Sequence, residues 1–266
     1  MPELPEVETI ARELKKSVLG KKITEVCVHV PVVIRQPSVE QFKKGLTGST
    51  IKNILRKAKV LILELSNGKA LTIHLKMTGQ LVYPGNGKTS RVSFRLSDGK
   101  YLDFFDQRLF ADLRLLDDWR QLPFIQGLGP EPFDITAERF LEMLSKKKAK
   151  IKPLIMDQTF ISGVGNLYAA EALFRARIDP QRSGLSLSDK EAVLLLKETQ
   201  ATLREAIVHK GSSVDNYVQL TGLPGGYAKY HKVYDREGKP CIMCKTPIKR
   251  TVLGGRGTYF CPKCQK

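Results

Sequence analysis

The first eight residues, MPELPEVE, place a potential nucleophile beside carboxylates. Removal of Met1 would leave Pro2 with a free terminal imino group, and Glu3 and Glu6 would be its nearest acid/base groups. A simpler interpretation is also open. Proline suits the first turn of a helix, and acidic residues there complement the helix dipole.

Four of the five cysteines form two Cys-x-x-Cys pairs separated by sixteen residues: Cys241, Cys244, Cys261 and Cys264. Two such pairs at this spacing predict a tetrahedral thiolate site for one Zn²⁺. Disulfides are the alternative, which an intracellular location disfavours. We expect the zinc to be structural, because four thiolates leave no coordination position open to a substrate.

A third candidate lies in SGVGN, where Gly163 and Gly165 permit a tight turn before a helix that begins at Asn166. Free backbone N–H groups at a helix start, together with an amide side chain, can clamp a phosphate. The same residues fit an ordinary corner between two helices, capped by asparagine, equally well.

The elements that must position these residues change type along the chain. Apolar residues at three- and four-residue steps predict an amphipathic helix over residues 3–19, ending at Gly20. From residue 23 to about 116, strands are predicted. LILELSNGKALTIHL and VSFRLSDGKYLDFF each set Asn-Gly or Asp-Gly between alternating runs, which indicates hairpins.

Helical patterns follow the strands. They lie in ITAERFLEML, KPLIMDQ, NLYAAEALFRA and a long segment from Ser188 to Gly211. Between the cysteine pairs, IKRTVLGGRGTYF predicts two short strands with Arg256 at the tip of a glycine-rich turn. The sequence therefore predicts an α+β fold: an N-terminal β-sandwich with a leading helix, a helical C-terminal domain and a zinc-ribbon hairpin.

Composition suggests four regions. We predict an N-terminal domain over residues 1–120, a linker over 121–134 with three prolines and two glycines, a helical domain over 135–231, and a zinc module over 232–266.

The charge balance favours a polyanionic partner. The net charge is +17; residues 1–120 hold 21 basic against 13 acidic residues, and the remainder 23 against 14. An excess shared by both halves fits nucleic acid, although ribosomal RNA or anionic membrane surfaces attract the same charge. No apolar run approaches the roughly 18 residues of a membrane helix, and the N-terminus lacks a signal-peptide pattern. We expect an intracellular protein with no membrane partner.

Several motifs in series resemble one family. MPELPEVE, SGVGNLYAAEALF, VYDREGKPC and GRGTYFCPKCQK are similar, in this order and over essentially the whole chain, to bacterial formamidopyrimidine-DNA glycosylases (Fpg, or MutM). The resemblance implies excision of oxidised purines, chiefly 8-oxoguanine and formamidopyrimidines, from damaged double-stranded DNA, followed by β,δ-elimination at the abasic site. It also implies a helix–two-turns–helix motif, one structural zinc and no soluble cofactor, and a monomer in the bacterial cytoplasm at the nucleoid.

The resemblance gives the N-terminal residues catalytic roles. Pro2 is implied to be the nucleophile, Glu3 the acid/base residue and Glu6 a supporting carboxylate. The chemistry is sensible, because a secondary amine that attacks the sugar C1′ gives an iminium ion that is necessarily cationic. An α-amino group also has a reference pKa of about 7.7–8.0, far below that of lysine.

The resemblance also implies contacts to the DNA backbone. Lys59 resembles the hairpin lysine that contacts phosphate beside the lesion, Arg256 the zinc-finger arginine, and Asn166 the phosphate-binding asparagine. Lys152 and His74 are further candidates. Lys59 has an alternative as an exposed strand lysine, and His74 as a strand residue satisfied by its neighbours.

Base flipping leaves a gap in the duplex. Met77, Arg108 and Phe110 resemble the set that fills this gap in the family, although Met77 and Phe110 also fit core positions. The chain departs from the family's usual Asp-x-Arg-Arg-Phe-Gly, because Leu109 and Ala111 replace its second arginine and its glycine. We expect Leu109 to bear on opposite-base preference.

Two further segments bear on function. Residues 211–230 correspond to the family's loop over the extruded base, and Gly225-Gly226 suggests a mobile lid. Asp235 stands where the family commonly has glycine, which affects a turn.

Three rival functions remain open. The related endonuclease VIII group prefers oxidised pyrimidines, but it typically opens Pro-Glu-Gly-Pro-Glu, so Leu4 favours the purine enzyme. A lesion-binding protein with weak catalysis is conceivable because of Leu109. A zinc-ribbon RNA binder would leave the acidic N-terminus without a role.

Overall fold

A computed structural model of the chain describes residues 1–214 and 216–266. It contains two compact units. Unit 1 comprises Met1–Gln126 and His209–Ala228, and unit 2 comprises Gly127–Val208 and Lys229–Lys266. Among the described residues, no helix is both long enough and apolar enough to cross a membrane.

Unit 1 begins with the predicted amphipathic helix. Its apolar stripe (Leu4, Val7, Ile10, Leu14 and Val18) is fully buried. Burial of one side drives an amphipathic helix onto the sheets, and the last turn carries lysines that complement the dipole.

The helices and strands of unit 1 follow in chain order: α1 (Leu4–Ser17), β1 (Ile23–Val28), β2 (Ile34–Gln36), α2 (Val39–Leu46), β3 (Ile51–Lys57), β4 (Val60–Leu65), β5 (Ala70–His74), β6 (Gly79–Gly85), β7 (Val92–Leu96), β8 (Tyr101–Asp106), β9 (Asp112–Leu116) and α3 (Pro123–Gln126).

The strands form two sheets, in the orders β1-β7-β8-β6 and β2-β9-β5-β4-β3. Both predicted hairpins are confirmed, as β4–β5 and β7–β8. Their turns contain Gly68 and Gly99, with φ of 82° and 79°. The Asn-Gly and Asp-Gly pairs therefore supply the left-handed residue that each turn requires.

The two sheets share one hydrophobic core. Leu63, Ile73 and Leu113 of one sheet belong to the same buried cluster as Phe94 and Phe104 of the other. The predicted α+β fold with an N-terminal sandwich is therefore confirmed.

Helix α2 was not expected, because the sequence predicted only strands between residues 23 and 116. The Ser38 hydroxyl caps this helix by accepting from the Gln41 N–H (3.3 Å). Phe42 and Leu46 are buried, and the Phe42 ring lies 6.5 Å from that of Phe94. Two buried residues over eight give too short an apolar repeat to recognise in the sequence alone.

Residues His209–Ala228 pack with unit 1, although the sequence places them after the long helix. The Leu220 N–H donates to the Glu13 carboxylate (2.8 Å), and its carbonyl accepts from the Tyr83 N–H (2.7 Å). Tyr217 and Leu220 belong to the core of the sheets. The predicted covering loop 211–230 includes residue 215, which lies outside the described residues.

Unit 2 contains the remaining helices and the hairpin: α4 (Ala137–Leu144), α5 (Ile151–Met156), α6 (Asn166–Ala176), α7 (Asp189–Val208), β10 (Lys249–Leu253) and β11 (Arg256–Phe260). All four predicted helical segments form, and the long one ends at Val208, three residues before Gly211. The predicted linker is not wholly irregular, since it holds α3 and a 3₁₀ turn at Pro132–Asp134.

Candidate active site and zinc module

The N-terminal head of unit 1 (residues 2–6) is buried and tightly hydrogen-bonded. Pro2, Glu3 and Glu6 are all buried, and Glu3 caps α1. The Glu3 N–H donates to Glu6 Oε2 at 2.8 Å, and Glu6 Oε1 accepts from the Ser212 N–H at 2.8 Å. The Glu6 carboxylate thereby joins the predicted catalytic residues to the start of the loop 209–228.

Gly211 makes this junction possible. Its φ is +74°, and a Cβ built on it would lie 2.8 Å from Glu6 Oε1. A side chain would therefore be strained in its backbone conformation and would press on the carboxylate. Gly225 is required for a similar reason, because a Cβ there would lie 2.4 Å from the Gly211 carbonyl oxygen. In this structure the Gly225-Gly226 pair closes the base of the loop.

Lys59 lies in the two-residue turn between β3 and β4, and its side chain is 5% exposed. The alternative of an exposed strand lysine is therefore wrong for this structure. The turn is tied to α1, because Arg56 donates to Glu8 (2.8 Å) and to the Ala58 carbonyl (3.0 Å). Burial opposes ionisation of Glu8, but hydrogen bonds from Arg56 and Arg12 outweigh it and lower the Glu8 pKa.

His74 ends β5 and is held in one tautomer. Its Nδ1 accepts from the Lys76 N–H at 3.1 Å, so the ring proton is assigned to Nε2. Burial, and then the positive charges of Lys76 and Lys59, lower the pKa of His74 to about 3. His74 is therefore a neutral hydrogen-bond donor at neutral pH, and its contact with a phosphate stays a prediction.

The structure brings together Met77, Arg108 and Phe110, which we call the exposed triplet. The Arg108 Nη1 lies 3.2 Å from Met77 Sδ, and its guanidinium stacks 4.6 Å from the centre of the Phe110 ring. Met77 is 39% exposed and Phe110 49% exposed, so the alternative that they are core residues is wrong. The triplet places apolar groups and one cation on the same patch of surface, beside a cavity of about 590 Å³.

Leu109, at which the chain departs from the family pattern, does not belong to the exposed triplet. It packs against the core of the sheets, its φ is +58°, and its carbonyl accepts from Arg35 (3.3 Å). A left-handed non-glycine residue costs on the order of 1–3 kcal/mol, which these contacts must offset.

Asn166 of unit 2 begins α6 and is half-buried. Lys152 donates to Asn166 Oδ1 at 2.5 Å, which assigns the amide NH₂ to the opposite side as a donor. The turn before it is organised by Gln158, which accepts from the Gly163 N–H (2.9 Å) and donates to the Val164 carbonyl (2.7 Å). The sequence did not single out Gln158.

Lys152 itself is fully buried. Besides Asn166, its ammonium donates to the Thr258 hydroxyl (2.8 Å) and lies 3.3 Å from the Gly257 carbonyl, both in the hairpin of the zinc module. This geometry supports a role in positioning Asn166 and the hairpin, and a direct contact of Lys152 with DNA stays a prediction.

The four cysteine sulfurs lie within 4.8 Å of one another. The Sγ–Sγ distances are 3.9 Å for Cys241–Cys264 and 3.5 Å for Cys244–Cys261. A tetrahedral zinc with Zn–S bonds of about 2.3 Å separates its sulfurs by about 3.8 Å, so the four thiolates fit one structural Zn²⁺.

The cysteine cluster adjoins the hairpin that carries Arg256, because Cys261 directly follows the second strand of the hairpin. Strands β10 and β11 pair around Gly254-Gly255, and Arg256 is exposed just after this turn. Cys241 and Cys261 pack in one cluster with Phe174 of α6. A zinc ion held by these thiolates would tie the hairpin to the helix that begins at Asn166.

Glu171 attaches the segment 232–234 to α6, a role that the sequence analysis did not predict. This residue of α6 is fully buried and accepts from the backbone N–H groups of Lys232, Val233 and Tyr234, at 2.8–3.1 Å. Burial raises the Glu171 pKa, although the three backbone hydrogen bonds work in the other direction. No local pattern indicates this site, because the donors lie 61–63 residues away.

Comparisons with known proteins cover most of the chain. Residues 1–113 match the formamidopyrimidine-DNA glycosylase N-terminal domain, residues 128–218 its H2TH domain, and residues 238–266 the zinc finger found in FPG and IleRS.

Similar proteins match over full length. The formamidopyrimidine-DNA glycosylase of Pelotomaculum thermopropionicum is 42% identical, and the match covers 100% of this chain and 99% of that protein. Among solved structures, MutM (Fpg) from Thermus thermophilus is 39% identical with a TM-score of 0.89, covering 99% and 98% of the two chains. A Lactococcus lactis Fpg mutant in complex with Fapy-dG DNA is 35% identical with a TM-score of 0.91, covering both chains completely.

Sequence, fold and site agree with one family. The three matched domains occur in the expected order, the cysteine cluster fits the zinc finger, and the motifs that first indicated the resemblance lie in the N-terminal head, at Asn166 and in the hairpin. The chain therefore belongs to the formamidopyrimidine-DNA glycosylase family, as a zinc-finger DNA glycosylase of DNA repair.

Proposed function

We propose that the protein excises oxidised purines from double-stranded DNA and then cleaves the abasic site through a Schiff base on Pro2. The observation that carries this proposal is the N-terminal head. There a potential imino nucleophile directly precedes Glu3, and the Glu6 carboxylate holds the Glu3 backbone at 2.8 Å. A buried, hydrogen-bonded carboxylate pair beside an amine that removal of Met1 would free is suited to nucleophilic and proton-transfer chemistry.

The proposed reaction starts after removal of Met1. The Pro2 nitrogen attacks C1′, a bond forms between them, and the bond from C1′ to the damaged base breaks as the base leaves with a proton. Glu3 supplies and removes protons at the sugar ring. The Pro2 nitrogen loses its proton, Glu3 protonates O4′, and the C1′–O4′ bond breaks, which opens the sugar ring and leaves a cationic iminium at C1′. The iminium withdraws electrons, so that loss of a proton from C2′ releases the 3′ phosphate, and loss of a proton from C4′ then releases the 5′ phosphate.

The other predicted residues serve binding in this proposal. Lys59 contacts phosphate beside the lesion, and the exposed triplet fills the gap left by the flipped base. His74 donates to the backbone from Nε2. In unit 2, Asn166 and Arg256 contact phosphates, because an amide at a helix start and an exposed guanidinium both suit this ligand.

We propose further that the protein acts as a monomer in the bacterial cytoplasm, and that its functions divide along the chain at the predicted boundaries, although residues 209–228 pack with unit 1. In this scheme residues 1–120 carry the chemistry, 121–134 link the domains, 135–231 and 232–266 bind DNA, and residues 211–230 cover the extruded base.

Oxidised pyrimidines are a second candidate substrate class. A solved complex of Lactococcus lactis Fpg, 34% identical to this chain, holds DNA that contains an oxidised pyrimidine. Because a likeness of fold does not choose between lesions, the substrate must be measured.

Single-turnover excision from matched duplexes tests the proposal. The duplexes would carry 8-oxoguanine, Fapy-dG, an oxidised pyrimidine or undamaged guanine at one position. We expect the two purine lesions to be released at least tenfold faster than the pyrimidine, and guanine not at all. Faster release of the pyrimidine would overturn the substrate assignment, and no release of any lesion would favour a DNA-binding protein without turnover.

A Pro2→Gly variant separates binding from chemistry. This change keeps a terminal amine but replaces the secondary amine by a primary one, so we expect unchanged affinity for damaged duplex and excision slowed at least tenfold. Equal excision rates would reject the special role of the imino group.

A further inference from the structure

A single buried carboxylate lies beneath both loops that carry the exposed triplet. Asp106 ends β8 and is 1% exposed. Its Oδ1 accepts from the Thr78 hydroxyl, which belongs to the loop between β5 and β6. Its Oδ2 accepts from the Ala111 N–H at 2.7 Å, at the far end of the loop between β8 and β9.

Thr78 closes the network. Its hydroxyl donates to Asp106 and accepts from the Arg108 N–H at 3.0 Å, and the same N–H lies 3.3 Å from Asp106 Oδ1. Thr78 is 8% exposed. Two loops that lie about thirty residues apart in sequence are thereby joined through a hydroxyl and a carboxylate, both shielded from water.

Both loops adopt backbone conformations that need such support. Lys76 and Leu109 each have a positive φ, 52° and 58°, next to a member of the triplet. Gly79 closes the first loop by donating to the Leu75 carbonyl at 2.9 Å, and a Cβ on Gly79 would lie 2.5 Å from that oxygen. Left-handed non-glycine residues persist where surrounding contacts hold them, and such places are often functional.

We propose that Asp106 and Thr78 are positioning residues that hold the exposed triplet as one preformed element for insertion into the duplex. The inference rests on the proposed function, in which the triplet fills the gap left by the flipped base. Because a preformed element needs no ordering at the moment of insertion, loss of the network should slow the step that requires insertion.

Two pairs of variants test this inference. Thr78→Val removes the hydroxyl but keeps the shape, whereas Thr78→Ser keeps the hydroxyl. Asp106→Asn removes the carboxylate, and Asp103→Asn is its matched control. Asp103 is also fully buried on β8, but its carboxylate accepts from the Asn86 and Gly87 N–H groups (2.9 Å each), away from the triplet.

Two rates are measured for each variant. The first is excision of 8-oxoguanine or Fapy-dG from a duplex, which requires insertion. The second is cleavage of a single-stranded abasic oligonucleotide, which has no opposite base and no gap to fill. We expect Thr78→Val and Asp106→Asn to lose at least tenfold in the first rate and less than twofold in the second, with both rates kept in Thr78→Ser and Asp103→Asn.

Three outcomes would count against the inference. Duplex excision at the wild-type rate in Thr78→Val and Asp106→Asn would overturn it, as would an equal loss of both rates, which indicates general damage to the fold. If Asp106→Asn does not fold, the Thr78 pair decides alone. A wild-type protein without either activity would instead overturn the proposed function, and this inference with it.

Discussion

Glu6 connects the N-terminal head to the loop 209–228 through hydrogen bonds to both oxygens of its carboxylate. One of its oxygens accepts from the Glu3 N–H and the other from the Ser212 N–H. A buried carboxylate with its acceptors occupied holds its neighbours in place, since breaking either bond leaves a buried polar group unsatisfied. The carboxylate thus restrains both the backbone that follows Pro2 and the base of the loop.

His74 gives a prediction about stability and pH. The pKa of His74 is lowered to about 3 in the folded protein, below the reference value of about 6.5. Between about pH 3 and pH 6.5, His74 therefore binds a proton in the unfolded chain but not in the folded one. Its contribution to the free energy of unfolding falls as the pH decreases through this range. The loss attributable to His74 between pH 8 and pH 5 is at most about 2 kcal/mol.

A His74→Asn variant isolates this effect. The Asn oxygen can replace Nδ1 as acceptor for the Lys76 N–H, but the amide does not titrate in this range. We expect urea unfolding to show a smaller decrease in stability from pH 8 to pH 5 for the variant than for the wild type. Parallel pH profiles would contradict the assignment of His74 as a neutral, half-buried donor.

Candidate residues in short local motifs could be proposed from the sequence, whereas residues whose partners lie far along the chain could not be identified. The cysteines, the Pro2-Glu3 pair and Asn166 all lie in short patterns. Glu171 does not, because its three backbone donors lie 61–63 residues away and meet it only after folding. Asp106 lies in one motif with Arg108 and Phe110, but its contact with Thr78, 28 residues away, is likewise made only by the fold. Buried acceptors of backbone N–H groups leave no spacing in the sequence by which to find them.

We expect the small hairpin of the zinc module to depend on its metal. Strands β10 and β11 have only five residues each, and two such strands are marginal in water without further support. The four thiolates and the packing of Cys241 and Cys261 against α6 supply that support. We therefore expect the position of Arg256 to depend on the metal site.

Removal of zinc should weaken DNA binding without unfolding unit 1. A Cys244→Ser variant loses one ligand, so we expect at least tenfold lower zinc affinity and at least tenfold weaker binding to damaged duplex. Unit 1 contains none of the four ligands, and most of the far-UV circular dichroism should persist.

Cys27→Ser is the matched control for this prediction. Cys27 is a half-buried residue of β1 that lies outside the cluster of four, so the zinc content and DNA affinity of this variant should equal those of the wild type. Equal zinc content in Cys244→Ser and Cys27→Ser would contradict the assigned ligand set.

The hairpins and long helices were predictable because each carries its own signal, a turn dipeptide or a sustained periodicity. Helix α2 was not, since only two of its eight residues, Phe42 and Leu46, are buried. Short elements take their conformation from the sheet beneath them, and this information is distributed over distant residues.

The excess of positive charge is shared by both halves of the chain. The net charge of +17 arises almost equally from its two halves, and both units carry residues proposed to contact phosphates. Such an excess supports rapid, salt-sensitive association with a polyanion but does not choose a lesion. In the proposed function, the choice of substrate comes from the N-terminal head and the loops of unit 1.

The packing of residues 209–228 with unit 1 could not be predicted from the sequence. Its contacts to Glu6, Glu13 and Tyr83 join residues separated by more than about 100 positions. A linear division of the chain therefore assigns this loop to the helical region, whereas its packing assigns it to the sheets.

Chemical trapping of the reaction intermediate tests the central proposal most directly. The protein, with removal of Met1 verified by intact mass, would be incubated with an abasic duplex and sodium borohydride, and the adduct digested and sequenced by mass spectrometry. We predict a reduced, irreversible crosslink between the DNA sugar and the nitrogen of Pro2. A crosslink at any lysine instead, or no crosslink from a protein that starts at Pro2, would contradict the proposal.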